Sequence, residues 1–113
     1  MVTQQIAIET VTRLSHELQS TGIHLRKVIL YGSFARGEQH EWSDIDVALV
    51  ADEFTGFGYA NIQRIGKVLV KPAYRMIEPK TYSTSYFEKG DAFIDEIMKN
   101  GLEIELQPNA SPQ

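Results

Sequence analysis

A chain of 113 residues can build one hydrophobic core but not two, and its 42% hydrophobic and 23% charged content is that of an ordinary soluble protein. With no cysteine, a disulfide framework is excluded and a reducing cytoplasmic setting is expected; no apolar run is long enough for a membrane span, and no signal peptide is visible. A net charge of −4 argues against a general, charge-driven nucleic-acid binder.

The first element is a helix over Thr3–Ser20, where Ile8, Val11, Leu14 and Leu18 recur at helical spacing and Gly22 supplies a stop. Val28-Ile29-Leu30 belongs to a β-branched and apolar run, read as a strand over Leu25–Tyr31. The Gly32-Ser33 turn follows, with Ser33 expected to cap a short helix from Phe34 to Gly37. A polar loop then leads to Ser43-Asp44-Ile45-Asp46, which runs directly into a strand over Ile45–Ala51.

Asp52–Gly58 reads as a loop. Its Gly56-Phe57-Gly58 lacks the spacing of any phosphate-binding fingerprint. A helix over Tyr59–Leu69 presents Ile62, Ile65 and Leu69, and Arg64, Lys67 and Lys71 read as solvated surface. The next strand is expected at Ala73–Glu78, bounded by Pro72 and Pro79. Lys80–Gly90 is polar with Tyr82, Tyr86 and Phe87. Ser83 or Ser85 could cap a turn of helix there, and aromatic side chains can stack on a planar ligand, although packing is their commoner use. Asp91 opens a helix through Lys99 that ends at Lys99-Asn100-Gly101. Leu102–Leu106 alternates as a half-exposed edge strand, and Gln107–Gln113 reads as a disordered tail. The sum is one α/β (α+β) domain over residues 1–106, with a small mixed sheet of about 3–5 strands and helices packed against it. Exposed edges on so small a sheet make a homodimer an open expectation.

The chemistry concentrates between Leu30 and Val50. In a strand, residues two apart share a face, so Asp44 and Asp46 point one way and Ile45 and Val47 the other, toward a core. Two carboxylates this close repel, and a divalent cation between them removes the conflict. Hard oxygen ligands suit Mg²⁺ or Mn²⁺, with water and phosphate oxygens completing the shell. His16, His24 and His40 have no ligand spacing, so zinc is not expected. Gly32 lets a phosphate approach the backbone closely. The unpaired N–H groups at the start of the following helix favour anionic oxygens. Ser33 adds a hydroxyl, and Arg36 adds a charge or orders the loop.

The run GSFARGEQHEWSDIDVALV resembles the signature of the minimal nucleotidyltransferases, small members of the DNA polymerase β-like nucleotidyltransferase superfamily. The resemblance rests on Gly32-Ser33, the following Ala35-Arg36-Gly37, Ser43, and the Asp44/Asp46 pair inside a strand. It implies transfer of a nucleoside monophosphate from ATP or another nucleoside triphosphate to an acceptor hydroxyl, with Gly32, Ser33 and Arg36 toward the nucleotide and Asp44 and Asp46 toward Mg²⁺. It also implies a third carboxylate from the next strand. The alignment puts that position at Met76, with Glu78 one strand step beyond, about 6–7 Å. Glu78 is then either a displaced third ligand or an edge residue. The family further suggests a small helical HEPN-type partner protein and a role as an antitoxin that modifies it. The alternative is a catalytically degenerate module that acts on such a partner by contact alone.

Overall fold

The computed structural model describes residues 2–55 and 58–108, without the side chains of residues 58 and 59. Helix α1 spans Gln4–Ser20, with the Thr3 hydroxyl accepting a hydrogen bond from the Ile6 N–H at its start. Ala7, Val11, Leu14 and Leu18 are fully buried on one face. Strand β1 (Leu25–Tyr31), a four-residue helix α2 (Ser33–Arg36) and strand β2 (Ile45–Ala51) follow. Then come α3 (Gly58–Leu69), a 3-10 turn at Pro72–Tyr74, β3 (Ile77–Ser83), α4 (Thr84–Lys89), α5 (Ala92–Asn100) and β4 (Leu102–Glu103).

The four strands form one mixed sheet in the order β3-β2-β1-β4. β1 pairs antiparallel with both β2 and β4, and β2 pairs parallel with β3 through the α3 crossover. The sheet buries both faces. Val28, Leu30, Ile45, Val47, Leu49 and Ile77 pack with α1, α2 and α3 on one side. Ile29, Ala48, Val50 and Tyr82 pack with Phe87, Ile94 and Ile97 of α4 and α5 on the other. This two-sided burial explains why β2 reads as a continuous apolar run after Asp46, as strands covered on both faces do. Among the described residues, no helix is long and apolar enough to cross a membrane.

Three local expectations need correction. The strand placed at Ala73–Glu78 begins only at Ile77 and runs to Ser83. Pro72 starts a 3-10 turn instead, tied down by Tyr74, whose hydroxyl donates to Glu17, which Lys71 also engages. Pro79 lies inside the strand opposite Val47 and does not end it. It is tolerated because β3 is an edge strand, where a missing N–H need not break the ladder. The short helix starts one residue early: Gly32 is its cap and Ser33 its first residue, so Ser33 does not occupy the capping position. The C-terminal strand is only Leu102–Glu103 rather than Leu102–Leu106. Ser83 and Asp91 do cap α4 and α5, accepting from the N–H groups of Tyr86 and Ile94. Gly56, Phe57 and residues 109–113 lie outside the described residues.

Candidate active site

The residues singled out from the sequence meet at one end of the sheet, where β1 stops and β2 and β3 begin. Across three adjacent strands, Tyr31 pairs with Asp46 and Asp46 with Glu78. Ile45, Val47 and Ile77 point into the α1/α3 core, so Asp46 and Glu78 project on the α5 side of the sheet. Glu78 therefore stands directly beside Asp46, on strands about 4.8 Å apart. Met76 precedes β3, and its carbonyl accepts a hydrogen bond from the Ile45 N–H at 2.8 Å, which sets the register.

Gly32 turns the chain between β1 and α2 with φ 75° and ψ −154°, a conformation essentially reserved for glycine. A Cβ built there would lie 2.2 Å from Oδ2 of Asp46, so the carboxylate rests against the glycine backbone. The Gly32 carbonyl accepts from the N–H groups of Ala35 and Arg36 at 3.1 and 3.2 Å. As the first groups of a helix, the N–H groups of Ser33 and Phe34 have no carbonyl upstream within it. Phe34, 1% exposed, pins this turn to the core. Nε2 of Gln4 donates to the carbonyls of Phe34 and Ala35 at 2.8 and 3.3 Å, which fastens α1 to the far end of α2.

The loop between Arg36 and Asp44 is ordered by its own polar groups. Oγ of the buried Ser43 accepts from the His40 N–H at 2.9 Å, and the Ser43 N–H donates to the His40 carbonyl at 3.0 Å. Nδ1 of His40 accepts from the Trp42 N–H at 3.2 Å. The serine before the first aspartate thus aims Asp44 by holding the loop. Arg36 is exposed, and its Nε donates to Oε1 of Glu38 at 2.7 Å.

The electrostatics are those of neighbouring acids that raise Asp46, with Arg36 as a partial counterweight. Burial, then the charges of Asp44 and Glu78, push the Asp46 carboxyl above its usual range, and Arg36 opposes this. Burial, then Asp46 and Glu78, push the Tyr31 phenol up to about 12, so it stays protonated. Asp44 and Glu78 themselves are exposed. Among the described residues, no three His, Cys, Asp or Glu side chains are gathered closely enough to form a ready-made metal cage.

Sequence reasoning missed Tyr31 and Lys80. Tyr31 was legible only as strand; its partnership with Asp46 depends on register. Lys80 lies two residues beyond Glu78 on the same face, with its ammonium 4.4 Å from the centre of the Phe93 ring. Phe93 in turn meets Tyr31 edge-on at 5.7 Å. Period-two alternation would have found Lys80 had the strand been placed correctly.

The structure is thus a mixed sheet with helices on both faces, with acids from two neighbouring strands beside a glycine turn. The family model for the nucleotidyltransferase domain matches residues 11–106. A Methanocaldococcus jannaschii protein named "Putative protein adenylyltransferase" is 32% identical over 83 residues, which is 71% of this chain and 79% of that protein. The crystal structure of a "putative nucleotidyltransferase" from Sulfolobus solfataricus superposes with a TM-score of 0.64 at 19% identity, covering 88% of this chain and 80% of that one. A toxin–antitoxin crystal structure with AMP-PNP superposes with a TM-score of 0.58 at 20% identity, covering 85% of this chain and 73% of that one. This chain belongs to the nucleotidyltransferase domain family.

Proposed function

We propose that this protein transfers a nucleoside monophosphate from a nucleoside triphosphate, ATP foremost, to a hydroxyl acceptor carried on a partner protein. The observation that carries the reading is the pairing of Asp46 with Glu78 beside the Gly32 turn, with the Asp46 carboxylate packed on the glycine. Gly32 and Ser33 take the triphosphate, with the opening N–H groups of α2 toward its oxygens. Arg36 is within electrostatic reach of Asp46 and adds positive charge at that end.

The donor set fits a hard divalent ion, Mg²⁺ or Mn²⁺. Asp46 is held in the negative field of Asp44 and Glu78, and two carboxylates with water and phosphate oxygens suffice for such an ion without a full protein cage. When bound, the ion would neutralise charge on the transferring phosphate. Asp44 and Asp46 would hold it, and Glu78 would hold it or take the proton of the acceptor hydroxyl. The acceptor oxygen forms a new bond to the α-phosphorus as the bond to pyrophosphate breaks, the entering and leaving oxygens being in line.

That the acceptor belongs to a protein is supported by the name of the Methanocaldococcus jannaschii relative. A protein partner is supported by the fold shared with the toxin–antitoxin structure; that this partner is a small helical HEPN-type toxin follows from the sequence resemblance alone. One observation favours a second reading, a nucleotide-binding antitoxin that acts by contact alone. The three acids do not close into a metal cage, and Glu78 is exposed.

Calorimetric titration of ATP with Mg²⁺ into the wild type and into Asp44→Asn/Asp46→Asn tests the site. Binding that needs both the metal and the aspartates is expected, and no binding at millimolar ATP would overturn the reading. Transfer of label from α-labelled ATP to a co-purifying partner separates the enzyme from the contact-only module.

A further inference from the structure

Asp44 stands just outside β2, which begins at Ile45, and it is exposed. Its backbone is fixed downstream by the Ile45 N–H on the Met76 carbonyl, at 2.8 Å. Upstream it follows directly from the turn His40–Ser43. Apolar packing does little for that turn: His40, Glu41 and Trp42 are exposed, the last by 81%. The polar bonds of the turn therefore decide where Asp44 enters the site.

His40 takes part in each of those bonds. Its carbonyl accepts from the Ser43 N–H at 3.0 Å, and its N–H donates to Oγ of Ser43 at 2.9 Å. Its ring adds the third, with Nδ1 accepting from the Trp42 N–H at 3.2 Å. A backbone N–H can only donate, so this bond requires a lone pair on Nδ1 and an uncharged ring with its proton on Nε2. In the imidazolium both ring nitrogens carry protons, and an Nδ1–H would face the Trp42 N–H. The first two bonds are indifferent to pH over the range in which histidine titrates, and the third is not. The ring is exposed, so it exchanges protons freely with solvent, and water can take over the released N–H. The charged groups on the same loop are Glu38, Glu41, Asp44 and Arg36, the last donating to Glu38. Among the described residues, no ion pair from another element reaches the ring.

We infer that His40 is a positioning residue for Asp44: its uncharged ring ties down the turn, and protonation of the ring unlocks the turn and lets Asp44 drift from its place beside Asp46. Histidine side chains change charge between about pH 5 and 8. A lock that needs the uncharged ring is present at the alkaline end of that range and lost on acidification. The lock is a property of the loop, and its effect on ATP rests on the nucleotidyltransferase reading above.

The test follows backbone amides by NMR from about pH 8 to about pH 5, with calorimetry of ATP and Mg²⁺ at both ends, on the wild type, His40→Ala and His40→Asn. The asparagine carbonyl can accept from the N–H two residues on, as in an Asx turn, and it does not titrate. In the wild type the amides of Trp42, Ser43 and Asp44 should shift together in one titration, and in His40→Asn they should not. The same spectra show that each variant is folded. At the alkaline end His40→Ala should weaken ATP by roughly 2- to 10-fold, the value of one neutral hydrogen bond, and His40→Asn should restore it. Acidification should weaken the wild type by a similar factor relative to His40→Asn, which retains His16, His24 and every carboxylate and so cancels their titration. If the three amides ignore pH in the wild type, or titrate equally in His40→Asn, the lock is refuted. If they titrate but ATP binding responds to pH equally in the wild type and His40→Asn, the positioning role is refuted. If the wild type binds no ATP at either end, the nucleotidyltransferase reading falls, and the lock stands or falls on the amide shifts.

Discussion

Replacing Gly32 by alanine should separate the geometry of the site from the stability of the fold. The backbone there, at φ 75° and ψ −154°, costs an L-residue roughly 1–3 kcal/mol. For a domain of about 100 residues this corresponds to a fall in melting temperature of roughly 5–20 °C. The new Cβ would also stand 2.2 Å from Oδ2 of Asp46, where real Cβ atoms essentially never come closer than 3.0 Å. The carboxylate must then give way by most of an ångström, and a misplacement of about 1 Å can lower catalysis roughly 100-fold. Gly37→Ala is the matched control. Gly37 also has a positive φ, 70°, but a Cβ there meets nothing within 4 Å. That substitution should lower stability by roughly 1–2 kcal/mol and leave Mg²⁺-dependent ATP binding intact. Denaturant melts and calorimetry on both variants decide the matter. The reasoning is refuted if Gly32→Ala binds ATP as the wild type does, or if Gly37→Ala loses binding to the same degree.

Further tests address the scaffold. Asn61 is 1% exposed and joins three segments: its Oδ1 accepts from the Thr55 N–H at 2.7 Å, and its Nδ2 donates to the Thr55 carbonyl and to Oγ1 of Thr81 at 2.8 and 2.9 Å. Asn61→Leu should destabilise the fold by roughly 1–3 kcal/mol through the polar groups it strands; an unchanged denaturation midpoint would contradict this. Phe34→Ala empties a fully packed position under the Gly32 turn and should cost roughly 3–5 kcal/mol, measured by the same melts. Asp52 carries the pH prediction. Hydrogen bonds from Arg26 and then Thr84 hold its carboxyl down at about 2, against an ordinary value of 3.8. A depressed folded-state value favours folding above the ordinary value, and that contribution disappears as the pH falls from about 4 toward 2. Denaturation midpoints should therefore fall more steeply over that range for the wild type than for Asp52→Asn, and parallel curves would count against the pairing.

Much of the molecule was legible in the sequence because local chemistry decided it. The apolar period of α1, the run of β1 into Gly32-Ser33, and the entry of Asp46 into β2 are all set by residues within a few positions of one another. The capping of α4 by Ser83 and of α5 by Asp91 is equally local, since each side chain bonds an N–H three residues on. Where the next strand begins was not local. Pro72 and Pro79 look like strand boundaries, yet one opens a 3-10 turn and the other sits inside an edge strand. What fixes β3 is the parallel register with β2, begun by the Ile45 N–H on the Met76 carbonyl. A shift of that register would carry Glu78 away from Asp46.

The sequence by itself determined the acids, the glycine turn and the face of β2 on which Asp46 lies, because strand alternation and glycine's backbone freedom are properties of neighbouring residues. Only the tertiary structure decided which third acid stands beside Asp46, that its carboxylate rests on Gly32, and that Tyr31, Lys80 and Phe93 join the site. Those contacts link β1, β2, β3 and α5, elements whose juxtaposition comes from burying both faces of one sheet. Long-range packing of that kind has no periodicity along the chain from which it could be read.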